Sequence, residues 1–236
     1  MWSVDDLLRT ARLGAKVVLG REPWLRPSLH CRTEFLGSDY GGWTLCPDGL
    51  GADSVFYCFG IGFDVSFDLA LIERFGGRVH GFDPTPRCLA WLQTQSLPEA
   101  FEVHPLGLAG HDGELAMVPP EDPSHVSFSS LRATQGVSTD VECLQVRRLS
   151  TLARALGHDH IDLLKLDIEG SEYEALPDLL HSGPSVRQLL IEFHHRQHPR
   201  RAAVTREAVQ RLRVHGFELF AVSRRNEEFS FLNTRR

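Results

Sequence analysis

Short apolar runs alternate with helical patterns over most of the chain. After each of the first two apolar runs, the apolar residues recur at helical spacing, which predicts a helix there. A further helix is predicted at 171–181. The apolar runs themselves predict strands at 55–59, 78–82, 101–106, 161–166 and 188–193. Strands that alternate with helices form parallel sheets, so the pattern predicts an α/β fold.

The amino-terminal part departs from this alternation. Helical spacing over residues 4–19 predicts an N-terminal helix. Residues 21–54 are rich in proline, glycine and aspartate, which predicts a covering loop with a short strand near 43–45. We therefore divide the chain into an N-terminal helix and covering loop, residues 1–50, and a main domain, residues 51–236.

The carboxyl-terminal part predicts a helix followed by a hairpin. The helix covers residues 202–215, and the strands 217–222 and 229–232 should pair because only a short polar segment separates them. A second irregular segment, residues 117–143, is rich in proline, serine and aspartate. Loops of this length are commonly lids or binding loops.

The composition narrows the class of protein. With 42% hydrophobic and 24% charged residues in 236, the chain can bury an ordinary core, which excludes disordered and fibrous classes. The net charge of −6 carries no basic stripe, so nucleic acid is not an expected partner. The sequence has neither an apolar stretch of about 20 residues nor a basic leader, so we expect a cytoplasmic protein without a membrane contact. The five cysteines include no Cys-x-x-Cys pair and are interpreted as reduced.

The first candidate site is the turn after the first predicted strand. Gly60 and Gly62 would let a ligand approach the backbone beside the unpaired N–H groups of the next helix. A dinucleotide fingerprint needs a third glycine where Val65 stands, so nicotinamide binding is disfavoured. Asp83 lies 21 residues after Gly62, at the next strand end, where a carboxylate can accept both hydroxyls of a ribose. The alternative for Asp83 is an ordinary Asp-Pro turn.

The second candidate site is the end of the strand at 161–166. Lys165, Asp167 and Glu169 crowd this strand end, and alternation puts Lys165 and Asp167 on one face. A lysine inside a central strand needs a nearby carboxylate, for which Glu192 on the next strand is the natural partner. We interpret Lys165 and Glu192 as a pair that braces the sheet, in preference to a catalytic pair.

Two histidines follow the strand at 188–193. Histidine titrates near neutrality, so His194, which is expected beside the ligand crevice, is a candidate general base. His195 has its side chain on the opposite face and is the weaker candidate. A carboxylate, Asp167 or Glu169, is the rival base. The same acids could instead hold Mg²⁺ or Ca²⁺, and we leave the need for a metal open.

Three motifs lie at the ends of the predicted strands 55–59, 78–82 and 161–166. They read Phe-Gly-Ile-Gly-Phe-Asp-Val-Ser-Phe-Asp at 59–68, Gly-Phe-Asp-Pro-Thr-Pro at 81–86 and Leu-Lys-Leu-Asp-Ile-Glu-Gly-Ser-Glu at 164–172. Together they resemble the FkbM family of S-adenosylmethionine-dependent methyltransferases, over about residues 40–233. The resemblance implies a Rossmann-like, seven-stranded, mostly parallel sheet with an antiparallel last strand and helices on both faces. The predicted N-terminal helix is an extension to that fold.

The resemblance also implies S-adenosylmethionine as the cofactor and S-adenosylhomocysteine as the product. Many relatives carry Asp-x-Gly-Ala-Asn where this chain has Cys-Phe-Gly-Ile-Gly at 58–62, so we expect Asp64 to pair with the cofactor's ammonium group instead. We interpret His194, Asp167 and Glu169 as the catalytic candidates. The implied cofactor contacts are Phe59, Gly60, Gly62, Asp64, Asp83, Pro84, Leu106, Gly107 and Asp167.

These features predict methyl transfer to a hydroxyl of a small molecule, sugar or natural product. The alternatives are N- or C-methylation, and a catalytically inactive cofactor-binding protein that acts through a partner. Intact Gly60, Gly62, Asp83 and Asp167 argue against the inactive form. The expected partner is a small-molecule or sugar acceptor, with neither nucleic acid nor a membrane, and a homodimer is left open.

Overall fold

The computed structural model describes residues 12–120, 128, 130 and 141–235. Residues 4–11 of the predicted N-terminal helix lie outside these ranges. The strands are β1 (Glu34–Leu36), β2 (Trp43–Leu45), β3 (Val55–Phe59), β4 (Arg78–Phe82), β5 (Phe101–His104), β6 (Gly107–Leu108), β7 (Gly113–Met117), β8 (Glu142–Arg147), β9 (His160–Leu166), β10 (Ser185–Glu192), β11 (Phe217–Val222) and β12 (Glu228–Asn233). The helices are α1, described over residues 12–18, α2 (Ser66–Phe75), α3 (Pro86–Leu92), α4 (Leu149–Leu156), α5 (Glu172–His181) and α6 (Ala202–Val214).

A seven-stranded sheet forms the centre of the fold, in the order β11-β12-β10-β9-β3-β4-β5. The neighbours from β10 to β5 pair in parallel, whereas β12 runs antiparallel between β10 and β11. The predicted mostly parallel sheet, its antiparallel last strand and the terminal hairpin are therefore confirmed. Because β4 and β9 lie on opposite sides of β3, the strand order reverses there and a crevice opens at the carboxyl ends of these strands.

Helices cover both faces of the sheet, as predicted. One apolar cluster packs Leu152 of α4, Leu176 of α5 and Leu212 of α6 on the sheet, and the other contains Leu71 of α2 and Cys88 of α3. The central strands are buried on both faces, which explains why they read as continuous apolar runs in the sequence. Among the described helices, none is both long enough and apolar enough to cross a membrane.

The N-terminal segment packs into the same core as the main domain. Trp43 and Leu45 of β2 belong to the second apolar cluster. The side-chain amide of Gln188 accepts from the backbone N–H of Cys46 at 2.6 Å and donates to its carbonyl at 3.0 Å. These contacts attach the covering loop to β10, and the boundary at residue 50 stays a prediction.

Two parts of the sequence-based fold need correction. The strand predicted at 101–106, which is β5, ends at His104, because Pro105 has no N–H to continue the hydrogen bonds of the sheet. A three-stranded sheet in the order β6-β8-β7 was not predicted, and neither was β1, which pairs with β2 in a two-stranded sheet. β6 has only two residues, and most side chains of β7 and β8 are not buried, so these strands lack a continuous apolar run. β7 and β8 also border the predicted loop at 117–143, most of which lies outside the described residues.

Candidate active site

A pocket opens at the carboxyl ends of β3, β4 and β9, where the sequence places most of its candidate residues. The sequence-predicted residues in its walls are Phe59, Gly60, Gly62, Asp64, Asp83, Pro84, Gly107, Asp167 and Glu169. Leu106 packs against the neighbouring core and does not line the pocket. His194 lies behind the wall, in contact with Glu169. Lining residues that the sequence analysis did not assign to the site include Tyr40, Trp43, Asp68, Met117 and Phe128.

The glycine turn is fixed by close approach of the backbone. Gly60 has a φ of +77°, and a Cβ added to it would lie 1.8 Å from the carbonyl oxygen of Asp167. A side chain at this position would therefore push β3 and β9 apart at the point where the pocket forms. The sequence identified this glycine by its place after an apolar run, and the structure supplies the steric reason.

Asp83 organises the glycine turn. One of its carboxylate oxygens accepts from the backbone N–H groups of Ile61 and Gly62, both at 3.1 Å. The other accepts from the N–H and the hydroxyl of Thr85, at 2.9 and 2.6 Å. A carboxylate has about four acceptor sites, so these bonds occupy its ordinary capacity. A ribose contact from Asp83 stays a prediction, and it would have to share or replace one of these bonds.

Both carboxylate oxygens of Asp64 accept hydrogen bonds from neighbouring segments of the chain. Its oxygens accept from the N–H of Ser66 at 2.8 Å and from the hydroxyl of Ser38 at 2.5 Å. Burial raises the pKa of Asp64, but the hydrogen bonds from Ser38 and Ser66 outweigh burial and leave that pKa below its usual value. Asp64 thus joins the covering loop to the start of α2 as an ionised group.

Asp68 is a pocket residue that sequence reasoning missed. It lies on the buried side of α2 and is 2% exposed. Within the described residues, its Oδ1 has no hydrogen-bond partner. Burial raises the pKa of Asp68, although the nearby charge of Lys165 opposes the rise. The available signal was an acid between Phe67 and Leu71 on the apolar face of a predicted helix.

Lys165 does not form the predicted pair with Glu192. Its Nζ instead donates to the carbonyl of Gly60 at 2.5 Å and lies 5.6 Å from the centre of the Trp43 ring. The prediction was wrong because Lys165, opposite Cys58 in the register, extends along β3 towards the glycine turn. Lys165 therefore braces the turn and the covering loop.

A cluster of carboxylates surrounds His194. Its Nδ1 lies 2.8 Å from an oxygen of Glu172, its Nε2 lies 3.2 Å from Glu169, and Nε2 is 3.9 Å from both Asp167 and Glu192. Glu169 reaches this position from a left-handed backbone, with a φ of +53°. Such strain at a non-glycine residue is held only where the surroundings fix it, and it is concentrated at functional sites.

The cluster shifts the proton affinities of its members. Burial lowers the pKa of His194, but the charge of Glu172 and the hydrogen bonds to Glu169 and Glu172 outweigh it and raise that pKa well above its usual value. Burial raises the pKa of Asp167 to about 6, with repulsion from Glu169 adding to the rise. Burial and repulsion from Asp167 raise the pKa of Glu192 to about 9. At neutral pH, His194 is therefore a cation and Asp167 is ionised.

These groups also have the composition of a cation site. One ligand atom each from Asp167, Glu192 and His194 lie within 4.8 Å of one another. A metal would need His194 as the neutral ring, whereas the surrounding acids favour its protonated form.

Comparisons with known proteins identify the family to which this chain belongs. Residues 54–219, more than half of the chain, match the model of the methyltransferase FkbM domain. Fibrillarin from Aeropyrum pernix, solved with bound S-adenosyl-L-methionine, is similar at a TM-score of 0.43 and 12% identity, over 77% of this chain and 66% of that one. The fibrillarin pre-rRNA processing protein of Methanococcus jannaschii has a TM-score of 0.45 and 11% identity, over 91% of this chain and 88% of that one. No curated protein sequence matches at a significant level. The chain belongs to the FkbM methyltransferase family, whose cofactor is S-adenosylmethionine.

Proposed function

We propose that this methyltransferase acts on a hydroxyl group of a small molecule or sugar, with Asp167 as the general base. One observation carries the proposal: the half-buried carboxylate of Asp167, whose pKa is raised to about 6, shares a pocket with the glycine turn. A base that is ionised just above pH 6 is suited to taking the proton of a hydroxyl near neutral pH.

The pocket has features that fit S-adenosylmethionine. Seven acidic and two basic side chains line it, and this excess of acids suits a ligand with a positively charged sulfur. Oδ1 of Asp68 is buried, borders the pocket and lacks a partner among the described residues, so we assign the cofactor's ammonium group to it. This assignment replaces Asp64, whose oxygens are engaged with Ser38 and Ser66.

Asp167 and His194 then have different roles in the reaction. When bound, the cofactor supplies a methyl group activated by its positively charged sulfur. Asp167 would take the proton from the acceptor hydroxyl, and the oxygen of that hydroxyl would bond to the methyl carbon as the bond between this carbon and the sulfur breaks, which leaves S-adenosylhomocysteine. His194 is a positioning residue, because both of its nitrogens are occupied by Glu169 and Glu172.

The covering loop contributes by excluding water. Tyr40 and Trp43 line the pocket from the covering loop, and so do Met117 at the end of β7 and Phe128, which belongs to the same apolar cluster as Met117. An apolar cover strengthens electrostatic interactions inside and keeps water away from the reacting groups. A small hydroxylated acceptor suits a pocket with walls on both sides.

The test is product formation with defined acceptors. Purified protein with S-adenosylmethionine is given a panel of hydroxylated small molecules and sugars, and a matched panel of amines, and S-adenosylhomocysteine is measured. The proposal expects turnover on hydroxylated acceptors, which Asp167→Asn reduces. Turnover on amines alone contradicts it in favour of N-methylation. Binding of S-adenosylhomocysteine with no turnover on either panel contradicts it in favour of an inactive cofactor-binding protein.

A further inference from the structure

Three side chains with metal-ligating atoms lie together at the edge of the main sheet. His80 is in β4, and Glu102 and His104 are in β5, the last strand of the sheet. The parallel register places His80 beside Glu102, so these residues share a face, and His104 shares it because it is two residues further along β5. None of these three residues lines the active-site pocket.

The ligand atoms form a small triangle. Nδ1 of His80 lies 3.0 Å from Nε2 of His104, and the two oxygens of Glu102 lie 3.5 Å from the first nitrogen and 3.6 Å from the second. A tetrahedral zinc ion with bonds of about 2.0–2.2 Å sets neighbouring ligand atoms roughly 3.3–3.6 Å apart. The two distances to Glu102 match those between neighbouring zinc ligands, the distance between the two nitrogens is slightly shorter, and one oxygen of Glu102 lies within 4.8 Å of both nitrogens.

The two histidine rings are held by packing, and the carboxylate of Glu102 is open to solvent. His80 is 3% exposed, and the ring of His104 stacks on Phe82 with centroids 4.5 Å apart. The side chain of Glu102 is 49% exposed, so solvent reaches the oxygen side of the triangle.

We propose that His80, Glu102 and His104 bind one Zn²⁺ ion, with a fourth position open to water. Two imidazole nitrogens and one carboxylate are a donor set typical of zinc, whereas Mg²⁺ and Ca²⁺ prefer oxygen ligands throughout. The ion would join β4, which carries His80, to β5, which carries the other two ligands. It would lie near the pocket, because the carbonyl of His104 accepts from the N–H of the pocket residue Asp83 at 3.2 Å. Its role is to stabilise this edge of the crevice, and it is independent of the methyl acceptor.

Zinc titration of the untagged full chain tests the proposal. The protein carries Cys31→Ser and Cys143→Ser, because these cysteines are at least partly accessible and thiols bind zinc. After EDTA treatment and dialysis, zinc is added in competition with a chromophoric chelator, and the melting temperature is recorded with and without zinc. We expect one equivalent to bind and to raise the melting temperature, since a ligand of the native state stabilises it. Co²⁺ in place of zinc should give the visible absorption of a tetrahedral site.

Two ligand variants and two controls locate the ion. Glu102→Gln and His104→Ala should each weaken zinc binding by at least about tenfold, because loss of even an outer-shell partner has that effect. Glu102→Gln alters an exposed side chain, so its metal-free melting temperature should match that of the parent. His111→Ala removes an exposed histidine elsewhere, and Glu192→Gln removes a ligand from the acidic cluster. Both controls should bind zinc as the parent does.

Three results would contradict the zinc site. Absence of zinc binding by the parent would show that His80 and His104 form only a hydrogen-bonded pair of neutral rings. Unchanged affinity in both ligand variants would overturn the site. Loss of binding in Glu192→Gln alone would move the ion to the active-site cluster and also overturn it.

Discussion

Nδ1 of His194 donates to Oε1 of Glu172 at 2.8 Å, and Glu172 has no exposed surface. The same oxygen of Glu172 accepts from the backbone N–H of Gly170 at 3.0 Å, so the pair fixes the turn between β9 and α5. This turn carries Asp167 and Glu169 to the pocket. The histidine is therefore the cation that holds the acidic groups together, and in our proposal the base is Asp167.

Replacing His194 should cost stability in a pH-dependent way. His194→Gln removes one partner of a buried charge pair, so we expect the free energy of unfolding at pH 7 to fall by about 3–5 kcal/mol. The raised pKa of His194 sets the sign: its contribution is fully present below about pH 6.5 and is lost as pH rises through the folded-state pKa. Urea unfolding at several pH values between 6 and 10 should show the difference from wild type shrinking on the alkaline side.

The control for this prediction is His111→Gln, which alters an exposed histidine. It should leave unfolding close to wild type at every pH. A difference between wild type and His194→Gln that does not shrink as the pH rises above about 7 would show that His194 is neutral in the folded protein there, and the role of base would return to it.

Replacing Asp167 should slow catalysis without weakening cofactor binding. A general base contributes about 10²–10⁴-fold, so Asp167→Asn should lower the turnover rate by that factor and leave the affinity for S-adenosylhomocysteine nearly unchanged. Since the pKa of Asp167 is raised to about 6, the wild-type rate should fall on acidification through about pH 6. Turnover against pH for wild type, Asp167→Asn and Glu169→Gln is the measurement. A loss confined to Glu169→Gln would assign the base to Glu169.

The main sheet could be predicted from sequence because its strands are buried on both faces and followed by turn signals. The glycine turn was found in the same way, since Gly60 follows directly on an apolar run. Side-chain partners were harder, because they depend on directions that residue spacing does not give. Lys165 reaches the carbonyl of Gly60 on β3 rather than Glu192 on β10. The charge of His194 depends on how closely the acids at 167–172 and at 192 approach its ring, and residue spacing does not give these distances.

Replacing Asp68 should separate ligand binding from folding. Asp68→Asn removes the negative charge that we assign to the cofactor's ammonium group, and a charge-assisted hydrogen bond contributes about 1.5–3 kcal/mol, so affinity should fall by at least about tenfold. The ligand-free protein should be no less stable, because the variant removes a buried carboxylate oxygen that has no partner among the described residues. Calorimetric titration with S-adenosylhomocysteine and thermal melting measure the two effects. Glu73→Gln on the exposed side of α2 is the control, and equal affinity in both variants would contradict the assignment.

Replacing Asp83 should affect both folding and cofactor binding, and a second variant can divide the two effects. Asp83→Asn keeps one acceptor oxygen for Ile61 and Gly62 but turns an amide towards the N–H of Thr85, which is left without its acceptor. A buried donor left unsatisfied costs about 1–3 kcal/mol, so the ligand-free protein should melt at a lower temperature. If Asp83 also holds the ribose, the affinity for S-adenosylhomocysteine should fall by at least about tenfold.

The variant that separates these roles is Thr85→Val. It removes the hydroxyl that donates to Asp83 at 2.6 Å but keeps the carboxylate and the backbone N–H. Stability should fall by about 0.5–1.5 kcal/mol, the net contribution of one hydrogen bond, while the affinity for S-adenosylhomocysteine stays near wild type. Titration and melting of Asp83→Asn and Thr85→Val side by side then decide the role of the carboxylate. If both variants lose stability and neither loses affinity, Asp83 shapes the glycine turn and makes no contact with the ribose.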